Sequence, residues 1–165
     1  MEAKLIKGIL YTELDDEVGP NPFVWLGDIP LSNRLHISVK TITVLSGESG
    51  LIPESLVILP FPSLNLKGLI KYVLWNDEAR RGGIGQGAIT LLFKESDDVI
   101  YYKYLNYFNA PFEKVAEEIA HLEKSKAPRE NYIDLLNELS LTIDQFLNEF
   151  KNNEISEENA KAFPD

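Results

Sequence analysis

The stretch "GLIKYVLWNDEARRGGIGQGAITLLFKESDDVIYYKYL", residues 68–105, decides the fold. "GLIKYVLWN" and "AITLLFKE" are rich in β-branched and aromatic residues, and "DVIYYKYL" alternates Ile100, Tyr102 and Tyr104 against Val99, Tyr101 and Lys103. That two-residue period belongs to strands. "SDD" between the last two is a tight polar turn suited to a hairpin. A helix over 97–108, capped by Ser96, competes for the last segment, but its four tyrosines and β-branched pair favour strand. Three strands joined by short turns must run antiparallel, which makes the fold α+β.

Working outward, Leu5 to Leu14 reads as a first strand, "DDEVGPNP" as a turn, and "FVWLG" as a short second strand closed by Gly27 and Pro30. The period then becomes helical over 31–46. Leu31, Leu35, Val39, Ile42 and Leu45 form one stripe, expected to face the core, and Gly47 stands where a left-handed cap would sit. Ile37, Thr41 and Val44 lie on the opposite face, as a contact for a second neighbour or as β-branched residues without a role. "LVILPFP" contains Pro60 and Pro62, which restrict it to a sheet edge or an extended connection. Beyond the sheet, Pro111 opens a helix carrying Phe112, Val115, Ile119 and Leu122 on one face. Pro128 opens another, with Tyr132, Leu135, Leu136, Leu139, Ile143, Phe146, Leu147 and Phe150 as a broad stripe. The expected order is β β α β β β α α, with helices on both faces of one sheet. Residues 1–151 form the expected domain and 152–165 an acidic mobile tail.

A chain of 165 residues suits one domain that buries roughly 70% of its unfolded surface. No apolar run approaches the ~20 residues of a membrane span. The amino-terminal stretch lacks a small-residue cleavage site, so a cytoplasmic protein is expected. Without cysteine there is no disulfide framework, thiolate nucleophile or cysteine-ligated metal. A net charge of -10 has the wrong sign for binding nucleic acid.

The glycines at 82, 83, 85 and 87 follow neither a dinucleotide fingerprint nor a Walker loop. They also lead from strand to strand, whereas phosphate-binding loops open a helix. The segment is either a plain hairpin or a loop offering Arg80 or Arg81 to a partner. His36 and His121 have no partner at metal-ligand spacing, so no metal or other cofactor is expected. Ser46 and Ser49 lie in no nucleophile elbow. Asp15, Asp16 and Glu17, beside a Gly-Pro turn, read as solvated loop rather than acid and base. Tyr101, Tyr102, Tyr104, Tyr107 and Phe108 suit core and sheet surface, with Tyr107 and Phe108 available to a partner. No acid, base and nucleophile converge, so the protein is not expected to be an enzyme.

The element order resembles the longin fold over about residues 5 to 150. "TELDDEVGPNPFVWLGDIP" is also similar to the opening of longin domains in nitrogen-permease-regulator, folliculin and DENN-type proteins, with Gly19 and Pro20 at the Gly-Pro positions and Pro30 at the later proline. The resemblance implies a five-stranded, mainly antiparallel sheet with one helix on one face and two on the other. It implies a non-catalytic adaptor that pairs with itself or with another longin or roadblock chain and recruits or regulates a small GTPase, with peripheral membrane association only through partners. Ile37, Thr41 and Val44 would then lie in the pairing seam, and Arg80 or Arg81 would fall in the loop from which such activators supply an arginine finger. The alternatives are a trafficking or tethering module that binds a peptide or SNARE-like helix beside the first helix, and a small-ligand sensor or enzyme with a pocket near the tyrosine-rich segment.

Overall fold

The computed structural model describes residues 5–46 and 52–162. The elements run β1 (Gly8–Asp15), β2 (Gly19–Leu26), α1 (Leu31–Ser46), β3 (Val57–Phe61), β4 (Leu66–Asn76), β5 (Ile84–Lys94), α2 (Asp98–Lys103), α3 (Leu105–Ser125) and α4 (Arg129–Ala162). The five strands form one sheet in the order β2-β1-β5-β4-β3, and every pairing is antiparallel. This is the expected α+β, longin-like sandwich. α1 covers one face; α3 and α4, preceded by the short α2, cover the other. The cap expected at Gly47, and Ser49, lie outside the described residues.

Two segments exchange roles relative to the sequence reading. Residues 57–61 form edge strand β3, paired from Val57 opposite Ile70 to Phe61 opposite Leu66, with Pro60 opposite Lys67. Residues 98–103, expected as a strand, are helical. Tyr101 drives the change, because its ring stacks on Phe93 of β5 at 3.9 Å between centroids. Tyr101, Phe108, Phe112, Val115 and Ile119 are all buried and follow one another at helical spacings of three, four and seven residues. Val99 and Tyr102 are left in solvent. α3 therefore begins six residues before Pro111, which lies inside the helix rather than in its first turn.

The larger core lies between the sheet and α3–α4. Ile9, Tyr11, Val24, Leu69, Ile89, Leu91 and Phe93 of the strands meet Phe108, Phe112, Ile119, Leu136, Ile143 and Leu147 of the helices. The expected stripe of α4 is the buried one, with Leu135 and Phe146 half-buried at its border. α4 does not stop where a tail was expected. It continues through residues 152–162, and Glu154 accepts a hydrogen bond from the Tyr104 hydroxyl at 2.7 Å while pairing with Lys103.

α1 sits differently from its expected orientation. Ile37, Ser38, Thr41 and Ile42 face the sheet, whereas Leu31, Leu35 and Val39 are exposed. The reason is the mixed polarity of the sheet beneath. The Thr12 and Ser38 hydroxyls are hydrogen-bonded at 2.8 Å in the interior, and the Tyr72 hydroxyl donates to the Thr41 carbonyl at 3.0 Å. The buried Thr12 hydroxyl needs a partner and finds it in Ser38, which turns inward with Ile37, Thr41 and Ile42, while the Tyr72 hydroxyl is satisfied by the helix backbone. At the rim, Trp25 of β2 holds the layers together. The Arg34 guanidinium of α1 lies 3.7 Å from the indole centroid and that of Arg129 of α4 lies 5.1 Å from it.

Candidate functional site

The arginine loop joins β4 to β5. Its backbone turns through residues 81–83, and Gly82 and Gly83 have φ of 79° and 72°, a region that favours glycine. Gly85 and Gly87 serve a different purpose. A Cβ on Gly85 would stand 2.0 Å from the Trp75 indole, and one on Gly87 2.4 Å from the Tyr11 hydroxyl. These glycines make room for aromatic side chains of neighbouring strands, so the run is partly turn and partly packing.

Arg80 does not project from the loop. Its Nε donates to Asp77 Oδ2 at 3.0 Å, Nη1 donates to the Leu14 carbonyl, and Nη2 lies 4.0 Å from Glu123 Oε2. Its guanidinium lies 5.2 Å from the Trp75 ring, and its side chain is 20% exposed. The residue read as a finger is thus a strut from the β4–β5 turn to β1 and the end of α3. Arg81, the other candidate, begins the turn itself.

Arg80 leads to a group that the sequence reading did not single out. The Glu123 carboxyl, 4% exposed, accepts the Tyr132 hydroxyl proton. Burial, followed by interaction with the Glu123 carboxyl, pushes the Glu13 carboxyl up to about 8. The Tyr11 hydroxyl beside them is buried without a hydrogen-bond partner, and burial followed by the charges of Glu123 and Glu13 raises its pKa well above the usual phenol range. Tyr132, whose ring stacks on Tyr11 at 5.7 Å, is raised by burial and by its bond to Glu123. The signal lay in the register of β1, where Ile9, Tyr11 and Glu13 share the face turned to α3 and α4 and place an acid in an apolar row.

The expected pairing residues divide. Ile37 and Thr41 are fully buried against the sheet and belong to the core, while Val44 is about half exposed. The outward stripe is Leu31, Leu35 and Val39, 59%, 44% and 49% exposed. Beside the start of α1 opens a cavity of about 510 Å³, floored by Ile29, Leu66 and Leu92, with Lys7, Lys94 and Glu95 among its polar walls.

The remaining sequence candidates have structural roles. Asp15 Oδ1 accepts the backbone N–H groups of Glu17 and Val18 at 2.8 and 2.9 Å, which orders the turn and holds its carboxyl below the usual range. His36 and His121 are exposed on α1 and α3. Tyr101 and Phe108 are core, Tyr104 is half-buried against Phe150, and Tyr102 and Tyr107 are exposed. Among the described residues no group of three histidines or carboxylates is placed to hold a metal, and no helix is long and apolar enough to cross a membrane. The fold and these surfaces define an α+β sheet protein with one partly uncovered apolar helix. No known family model matches the sequence, and no curated protein matches it.

Proposed function

We propose that the chain is a non-catalytic, longin-like cytoplasmic adaptor that docks through α1 onto a second copy or a related chain and binds or regulates a small Ras-like GTPase. One observation carries the docking part. α1 exposes Leu31, Leu35 and Val39 in a row and contains no acidic residue, in a chain that has 26. An apolar stripe without negative charge is the surface on which two strongly acidic molecules can approach without repulsion. The GTPase rests on the longin-like element order and the Gly-Pro opening. Because Arg80 is held inward in the free chain, Arg81 is the residue of this loop proposed to reach the partner.

Sedimentation of wild type and Leu35→Asp tests the docking, with association expected for wild type and a monomer for the variant. Capture with GDP and aluminium fluoride tests the partner: a small GTPase should bind wild type and be weakened by Arg81→Ala. A wild-type monomer that retains no GTPase would overturn the reading. The cavity beside α1 favours a second reading, a tethering module whose partner peptide lays apolar side chains on Ile29, Leu66 and Leu92. Peptide binding weakened by Leu66→Asp, with no affinity for any GTPase, would favour it.

A further inference from the structure

We propose that Arg34 of α1 and Arg129 of α4, which meet on the Trp25 indole at the β2 edge, form a binding site for the phosphoryl group of a phosphate monoester. The site is independent of the partner that α1 takes.

Three elements bring it together. β2 supplies Trp25, the first turn of α1 supplies Arg34, and Arg129 is the first residue of α4. The Arg34 guanidinium lies 3.7 Å from the indole centroid and that of Arg129 5.1 Å from it, so two cations share one ring. The ring attracts each of them, but it neutralises neither, and like charges this close repel. Nothing in the surrounding fold relieves that repulsion. Arg80 is held by Asp77 and faces Glu123, whereas among the described residues no carboxylate forms an ion pair with Arg34 or Arg129. Even the acids nearest to them along the chain, Asp28 and Glu130, are exposed and pair with neither. In a chain with 26 acids, two adjoining arginines left without one mark a place for an anion from outside.

Arg34 is set before any ligand arrives. Its Nη1 donates to the Ile29 carbonyl at 2.9 Å, and its Nε is enclosed without an acceptor. An N–H kept from both water and acceptor costs stability, so this guanidinium is held in place against its own hydration. A side chain already fixed loses little further entropy on binding. Arg129 is exposed and offers its donors from the solvent side.

Two guanidiniums select the ligand. Each planar fork presents parallel N–H donors that match two oxygens of a phosphoryl group, and their combined charge matches a monoester dianion. A carboxylate, with a single charge, saturates one fork and leaves the other. A nucleic-acid backbone is opposed by the net charge of -10.

Arginine Nε–H and tryptophan indole N–H resonances of the full chain read the site directly. Titration with inorganic phosphate, against chloride of equal ionic strength, should give saturable shifts at Arg129 and Trp25 and none at Trp75. Arg129→Gln should weaken the affinity about tenfold or more. It changes an exposed side chain and should fold as wild type does. Arg34→Lys keeps the charge but loses the fork, and should weaken binding as well. Sedimentation with phosphatidylcholine vesicles, with and without phosphatidic acid, identifies the source of the phosphoryl group. Capture by phosphatidic acid that Arg129→Gln abolishes assigns a lipid headgroup, and saturable shifts without capture assign a soluble ester. Shifts that never saturate together with no capture, or binding unchanged in Arg129→Gln, would overturn the proposal.

Discussion

At the scale of single residues, neighbours rather than composition decide what each glycine and arginine does. Gly82 and Gly83 are turn glycines, whereas Gly85 and Gly87 are absences that aromatic rings fill. Gly85→Ala would put a methyl group inside the indole of Trp75, a side chain only 4% exposed and unable to swing away. It should cost about 1–3 kcal/mol in urea unfolding. Gly82→Ala meets open space and only an unfavourable φ, so about 1 kcal/mol is expected. A reversed order would refute the packing role of Gly85. Arg80→Ala should likewise cost about 1–3 kcal/mol, because it leaves the Leu14 carbonyl without its donor and Asp77 and Glu123 without their cation. A freely projecting arginine would give no such loss. The loop was legible as a strand-to-strand connection with arginines at its tip. The inward course of Arg80 was not, because Leu14 and Glu123 approach it only through the tertiary fold.

At the scale of elements, α1 shows where periodicity fails. Its range of 31–46 is readable from the sequence, but its orientation is not. Hydropathy favours the stripe of Leu31, Leu35 and Val39, yet Thr12 on the opposing strand calls for the hydroxyl of Ser38 and Tyr72 for a backbone carbonyl of the inward face, information absent from the helix itself. Two substitutions two residues apart separate the faces. Ile37→Asp buries a charge at a fully enclosed position and should cost about 4 kcal/mol or more. Leu35→Asp changes an exposed side chain and should leave the urea midpoint nearly unchanged while abolishing association. Were the two equally destabilising, α1 would have no free face. Residues 98–105 mislead for a related reason: tyrosines and β-branched residues favour a strand, but the stacking of Tyr101 on Phe93 makes the chain turn back as helix.

At the scale of the whole molecule, an open five-stranded sheet has two edges through which copies could polymerise. Both are blunted by prolines, at 20 and 22 in β2 and at 60 in β3, which have no N–H to offer an added strand. The β3 edge is protected twice, because Lys40 of α1 donates to the Pro60 carbonyl. The molecule thereby closes the backbone route to association and leaves the side-chain route across α1 open, which is also why a helix-face contact suits this fold better than strand addition. Pro60→Val restores an N–H to the edge, and Lys40→Ala uncovers the carbonyl beside it. The double variant should remain folded by far-UV circular dichroism but scatter light on mild heating at concentrations where wild type stays clear. Adding Leu35→Asp should not suppress that scattering if it arises at β3, whereas suppression would place it on α1 and leave the edge without a protective role for Pro60.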